Sequence, residues 1–122
     1  MKRMIGAMLL FFASASHAGH LDVIAFTLNE GCTMEKYLEI VDDFNDWAAA
    51  YGYQAEIAVP AFHANLATLY WLGRSANGET FGKAYDVWET ALGDARSTPA
   101  QLNARFGECS TNVTRHAYTT FP

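Results

Sequence analysis

The feature that most constrains the fold is the order in which strand-like and helix-like patterns alternate along the chain. Alternating or β-branched runs indicate strands, and apolar residues spaced three and four apart indicate amphipathic helices. The successive segments are a strand at 21–28, a helix at 33–50, strands at 53–59 and 66–73, a helix at 79–92, a short helix at 98–107 and a strand at 110–121. This order predicts an α+β domain.

The order β-α-β-β-α-(α)-β is that of the ferredoxin-like plan. It predicts a four-stranded antiparallel sheet in the order 4-1-3-2, with the helices on one face. Local signals support the helix ends, because Thr33 is placed to cap the first helix and Gly52 to end it. Thr98 is expected to cap the short helix, with Pro99 in its first turn and Gln101 as the capping partner.

The N-terminus has the pattern of a secretory signal peptide. Lys2 and Arg3 form a positive start, an apolar run too short to span a membrane follows, and a small-residue motif predicts cleavage after Ala18. An uncleaved anchor is the alternative. Cleavage leaves a single domain at 19–122 and a periplasmic or secreted bacterial protein.

Charge and hydropathy limit the partners of the mature chain. Loss of Lys2 and Arg3 leaves six basic against 13 acidic residues, a net charge of −7. Such a balance argues against nucleic acid and anionic lipid as partners. No second apolar run is long enough to span a membrane, so no membrane partner is expected after signal cleavage.

The two cysteines are far apart in sequence, but the predicted topology brings them together. Cys32 follows the first strand and Cys109 precedes the last, and these strands are antiparallel neighbours. In an exported protein with two cysteines, a Cys32–Cys109 disulfide is the expected state. The alternatives are an activated thiolate at a helix start and a metal site, which lacks further ligands at suitable spacing.

The sheet face without helices is predicted to form a homodimer interface. Ile24 and Phe26 are assigned to the helix side together with Tyr53 and Ile57, and the alternate residues to the open side. Both faces of the third strand are substantially apolar. Burial on both sides therefore favours sheet-to-sheet packing between two copies over a monomer with an apolar open face.

The strand, the segment LNEGCTMEKYL and the following helix resemble the dimeric α+β barrel superfamily, which includes antibiotic-biosynthesis-monooxygenase-like proteins. Gly31, Tyr37 and Leu38 carry the resemblance, which extends as a plan over the whole mature chain. It is closest in kind to small exported bacterial members with no assigned activity. The resemblance implies a dimer, but its members include oxygenases, isomerases and non-catalytic binding proteins, so the fold does not choose the function.

Four residues are candidates for lining a ligand site. Glu56, Tyr70 and His116 are assigned to the open face, and His63 lies in the loop between the second and third strands. A carboxylate, a phenol and a histidine can bind and deprotonate a polar aromatic compound. The alternative is that they are ordinary hydrogen-bonded or exposed residues. No metal-ligand spacing or cofactor motif is present, so no metal and no cofactor are expected.

These observations favour an exported, dimeric, non-catalytic protein that binds a small apolar or aromatic molecule or serves as an assembly module. The absence of a strong catalytic constellation supports this interpretation. The alternative is a cofactor-free monooxygenase or isomerase that acts on a small aromatic or lipophilic compound, and the abundance of aromatic residues supports it.

Overall fold

The computed structural model describes residues 18–122, so the predicted signal peptide at 1–18 lies outside the described residues except for Ala18. The elements are β1 (Gly19–Leu28), α1 (Met34–Ala48), a 3-10 turn (Ala49–Tyr51), β2 (Tyr53–Ala58), β3 (Leu69–Ser75), α2 (Gly78–Ala91), α3 (Thr98–Cys109) and β4 (Ser110–Thr120). The predicted order of elements is confirmed. Within residues 18–122, no helix has the length and apolar character needed to cross a bilayer.

The four strands form one antiparallel sheet in the order β2-β3-β1-β4. This is the predicted order 4-1-3-2 read from the other edge, so the fold prediction is confirmed. A bulge interrupts the β1–β4 pairing between Ala25 and Phe26. Strand β1 is central and β4 is the edge strand beside it, so both ends of the described chain lie on adjacent strands.

Side-chain caps fix where the helices begin. The Thr33 hydroxyl accepts a hydrogen bond from the Lys36 N–H at 3.2 Å, as predicted for the start of α1. Gly52 follows the 3-10 turn with a φ of 70°, a left-handed conformation that favours glycine. The prediction for α3 is wrong by one residue, because Ser97 rather than Thr98 accepts the capping bond, from the Ala100 N–H.

The core lies between the helices and one face of the sheet. Phe26, Tyr53 and Trp71 are buried on that face, which confirms the face assignment made from alternation. Glycine is required at position 73, because a Cβ there would overlap the phenol ring of Tyr53. That ring crosses β3 toward β1, and its hydroxyl therefore reaches the interior of the domain.

In the centre of α1, the residues that are buried differ from those that helical spacing predicts. Helical spacing predicts Leu38 on the apolar face of α1, with Tyr37 and Val41, and Ile40 on its flank. Instead, Ile40 is 2% exposed and Leu38 is 41% exposed. The reason is that α1 contacts α3 as well as the sheet, so its buried sector is rotated toward α3. Alternation and helical spacing do not contain information about a second helix at the side.

Cys32 and Cys109 form the predicted disulfide, with their Cα atoms 5.1 Å apart. Next to it, the Asn29 N–H donates to the carbonyl oxygen of Cys109 at 2.9 Å. The bridge joins the segment before α1 to the last residue of α3. It therefore fixes both helices at the end of the sheet where β1 stops and β4 begins.

Candidate functional site

A cavity of about 280 Å³ lies between the sheet and the helices. Its walls include all three tryptophans of the chain, Trp47 on α1, Trp71 on β3 and Trp88 on α2. Trp47 and Trp88 meet edge to face, with ring centroids 5.4 Å apart. The volume is close to the lower end of the range usual for sites that bind small molecules, and such sites are mostly lined by apolar and aromatic groups.

The position of α2 explains why the cavity exists. Ala84 is the buried residue of this helix, whereas Phe81 and Trp88 are half-buried and Tyr85 is 40% exposed. A small residue at the contact point lets the helix approach the core there. The large rings one turn away on either side line the cavity and do not fill it.

A buried polar network forms part of the cavity wall. Asp22 is 1% exposed, and Arg115 binds it with two hydrogen bonds, from Nε to Oδ1 at 2.9 Å and from Nη2 to Oδ2 at 2.8 Å. The Tyr53 hydroxyl donates to Asp22 Oδ2 at 3.1 Å and accepts from Trp71 Nε1 at 2.7 Å. The carboxylate thus has partners on both oxygens, as a buried charge requires.

The network has defined protonation states. Burial, followed by repulsion from Asp22, raises the pKa of Tyr53 well above its usual 10, so the phenol stays neutral. Burial likewise raises the pKa of Tyr37, another residue of the cavity wall. The hydrogen bond to Asp22 raises the pKa of Arg115, whose guanidinium also lies 5.4 Å from the centre of the Tyr85 ring.

The residues proposed from the sequence lie elsewhere. Glu56 and His116 are on the open face of the sheet, in one row that crosses β2, β3, β1 and β4. They occupy opposite edge strands, separated by roughly 14 Å, or three strand spacings. Glu56 accepts hydrogen bonds from Arg74 at 3.0 and 3.2 Å, and this ion pair is largely exposed.

Two of the proposed residues do meet. The Tyr70 hydroxyl and His63 Nε2 are 3.1 Å apart, and the two rings pack edge to face. His63 Nδ1 accepts from the Asn65 N–H at 3.0 Å, so the histidine organises the loop between β2 and β3. Within one chain, Tyr70 and His63 form one pair, Glu56 and His116 lie on opposite edge strands, and the four candidates do not form one cavity.

The sequence prediction missed Asp22, Tyr53 and Arg115 as members of a site. A signal was present, because Asp22 falls on the face of β1 that alternation assigns to the core. An acidic residue on a buried face needs a partner of opposite charge. The partner is 93 positions away in the sequence and was not identified there.

The arrangement can hold a flat, mainly apolar molecule against the rings and offer it charged and hydrogen-bonding groups at one side. Asp22 contributes a carboxylate to the cavity wall, and Arg115 donates hydrogen bonds to both of its oxygens. Among residues 18–122, no group of three or more histidine, cysteine, aspartate or glutamate side chains is arranged to hold a metal ion.

No family model matches the chain, and no curated protein matches it significantly. Solved structures do match. A conserved protein of unknown function from Bacteroides thetaiotaomicron, described as a possible oxidoreductase, has a TM-score of 0.54 and 13% identity, with 87% of this chain and 100% of that chain covered. The protein At3g17210 from Arabidopsis thaliana has a TM-score of 0.53 and 11% identity, with 86% and 94% covered.

A third match is a dimeric ferredoxin-like protein of unknown function from Thermobifida fusca, with a TM-score of 0.50 and 12% identity. It covers 87% of this chain and 92% of that chain. At these identities, the matches establish the fold. The chain therefore has the ferredoxin-like fold, as the order of its strands and helices indicated.

Proposed function

We propose that this chain is an exported, homodimeric protein that binds a small aromatic or lipophilic molecule in the cavity between its helices and its sheet. The observation that carries this proposal is the cavity itself, in which aromatic walls enclose a buried Asp22–Arg115 pair. An aromatic surface left unfilled inside a small domain costs stability, because its rings lose packing contacts. A bound flat molecule restores those contacts.

The cavity favours binding over a purely structural role. In an assembly module, the apolar stripe of α2 would be expected to pack against the sheet as that of α1 does. Instead, Phe81, Tyr85 and Trp88 all line the cavity and remain partly accessible. The binding site proposed now differs from the open-face site that the sequence suggested.

A cofactor-free monooxygenase or isomerase is the second candidate, and the polar network favours it. Such chemistry needs a proton acceptor beside a bound aromatic compound, and Asp22 places a carboxylate in the cavity wall. Arg115 and the Tyr53 hydroxyl can stabilise negative charge that develops on the substrate. Turnover of a compound that binds in the cavity, with loss of turnover in Asp22→Asn, supports this candidate.

The binding proposal is tested by isothermal titration with 2-naphthamide, a neutral bicyclic probe. Ala84→Phe places a ring in the cavity and is expected to abolish heat of binding, because Ala84 lies in the wall. Val87→Phe is the matched control, since Val87 is on the same helix but is exposed and outside the cavity. Absence of binding to the unaltered protein, or equal binding to both variants, contradicts the proposal.

The homodimer is proposed to form through the open face of the sheet. Val23 and Ala25 on β1 and Leu72 on β3 are half-buried residues of this face, and the helices cover only the other side. The fully exposed Phe62 lies in the neighbouring loop. Sedimentation of the unaltered protein should show a dimer, Leu72→Asp should yield folded monomer, and Val87→Asp should leave the dimer intact.

Export is proposed from the signal-like sequence at 1–18 together with the disulfide, which is typical of oxidising compartments. Mass spectrometry of the protein from the exported fraction of a bacterial host tests it. The expected mature chain begins at Gly19 and gains two hydrogens on reduction. Retention of residues 1–18 in the exported fraction, or a mass that reduction does not change, contradicts it.

A further inference from the structure

We infer that the ligand of the cavity is an aromatic anion, with its ring among the aromatic side chains and its oxyanion on the guanidinium of Arg115. This inference rests on the proposed binding function and narrows it to one chemical class. It follows from how the hydrogen-bonding groups of the cavity are already used and from which of them remain for a ligand.

Arg115 has donors left after it has bound Asp22. A guanidinium carries five N–H groups, and the two hydrogen bonds to Asp22 use one on Nε and one on Nη2. Those two bonds occupy the edge of the guanidinium that faces Asp22 on β1. The Nη1 end is left for a second acceptor, and a planar oxyanion fits two parallel N–H groups there.

Arg115 is also fixed in position and reachable. Its side chain is 46% exposed, whereas Asp22 is 1% exposed, so a molecule entering the cavity meets the guanidinium before the carboxylate. Asp22 holds one edge of the guanidinium and Tyr85 lies beside its face at 5.4 Å. Binding an anion therefore requires little further ordering of the arginine.

The neighbouring wall of the cavity also carries hydrogen-bond donors. Asn103 on α3 and Asn112 on β4 are exposed residues that line the cavity, and their side-chain amides can donate hydrogen bonds. The tryptophans and Phe44 lie on the α1 and α2 side and on the sheet. A ligand with an apolar ring at one end and an oxygen-rich group at the other matches both walls.

The preference for an anion comes from the free donors of Arg115 and is opposed by the net charge of the lining. Asp22 and Arg115 compensate each other, so the remaining charge of the lining is Glu89 on α2. Glu89 is an exposed residue, and its carboxylate is screened by solvent. A cationic ligand would have to approach Arg115, the one charged group with donors directed to the cavity. Glu89 is expected to weaken anion binding to a small extent.

The test compares two probes of the same shape and different charge. Isothermal titration of the disulfide-bonded protein with 2-naphthoate and 2-naphthamide measures the preference for the anion. A charge-assisted hydrogen bond in a partly buried site predicts about tenfold tighter binding of 2-naphthoate. Similar affinities for the two probes overturn the inference but leave the binding function intact, and failure of both probes to bind overturns both proposals.

Two variants connect the preference to Arg115. Asp22→Asn/Arg115→Gln keeps a hydrogen-bonded neutral pair and should bind both probes with similar affinity. Glu89→Gln removes the remaining negative charge of the lining and should raise the affinity for 2-naphthoate relative to 2-naphthamide by about twofold. If the double variant keeps the anion preference, Arg115 is not the anion site. Should the double variant fail to fold, the Glu89 variant still tests whether the anion binds in this cavity, and an unchanged ratio of the two affinities contradicts that.

Discussion

The two long helices have the same kind of amphipathic sequence but pack in opposite ways. Helix α1 buries Tyr37, Ile40, Val41, Phe44 and Ala48, whereas α2 buries only Ala84. Both patterns predicted a helix, and both predictions are confirmed. The difference shows that helical spacing indicates which face turns inward, and that it does not indicate whether that face meets other side chains or a cavity.

The surroundings of each helix explain the difference. Helix α1 lies against the sheet and against α3, and the Cys32–Cys109 bridge fixes its start. Helix α2 has no such bridge, and large rings flank its one buried alanine. The domain therefore has an α1 half, in which most of the apolar helix face is buried, and an α2 half, which borders the accessible cavity that Tyr37, Phe44 and Trp47 of α1 also line.

The largest loss of stability that this comparison predicts is that of Phe44→Ala. Phe44 is 8% exposed and its ring packs against Tyr53, Trp71 and Trp88, so its loss should lower the free energy of unfolding by roughly 3–5 kcal/mol. Trp88→Ala should cost less than half as much, because Trp88 is only half-buried whereas Phe44 is buried. Urea unfolding of both variants measures this, and equal losses would mean that α2 is packed as closely as α1.

Removal of the disulfide is expected to have the next largest effect. Cys32→Ala/Cys109→Ala frees a loop of 77 positions in the unfolded chain and should lower the free energy of unfolding by about 2–4 kcal/mol. Amide hydrogen exchange should increase more at the start of α1 than in α2. Faster exchange confined to α2 would contradict the view that the bridge secures the α1 half.

Tyr53→Phe should have an intermediate effect. The hydroxyl joins Trp71 and Asp22, and its loss leaves the Trp71 Nε1–H without this partner and Asp22 with Arg115 alone, at a cost of about 1–2 kcal/mol in the free energy of unfolding. Tyr70→Phe is the matched control, because its hydroxyl bonds His63 at the surface and should cost little. If the two substitutions cost the same in thermal and urea unfolding, the network does not stabilise the cavity wall.

The smallest effect is expected at alkaline pH. Burial raises the pKa of Tyr37 above its unfolded value of 10.0, so the unfolded chain releases the phenolic proton first. The resulting stability is fully present below pH 10 and is lost as the pH rises further. Tyr37→Phe should flatten the decline in the free energy of unfolding above pH 10, and an unchanged decline would contradict the assignment.

The fold could be predicted from the sequence more fully than the site. Alternation, caps and element order were sufficient for the sheet order and for the pairing of Cys32 with Cys109, because these follow from local patterns and one topology. The network depends on the contact between Asp22 and Arg115. These two residues are brought together by the pairing register of β1 and β4, which contains a bulge. Register across a bulge and the distance between α2 and the sheet are set by tertiary packing, and no local pattern records them.

The tryptophan positions give the cavity a built-in optical reporter. Since Trp47, Trp71 and Trp88 are the only tryptophans in the sequence and all line one cavity, the indole emission of the protein comes entirely from its walls. The colour and intensity of that emission should respond to water entering or leaving this space. Fluorescence spectroscopy of the unlabelled protein can therefore follow occupancy of the site, and the open face of the sheet contributes no indole emission.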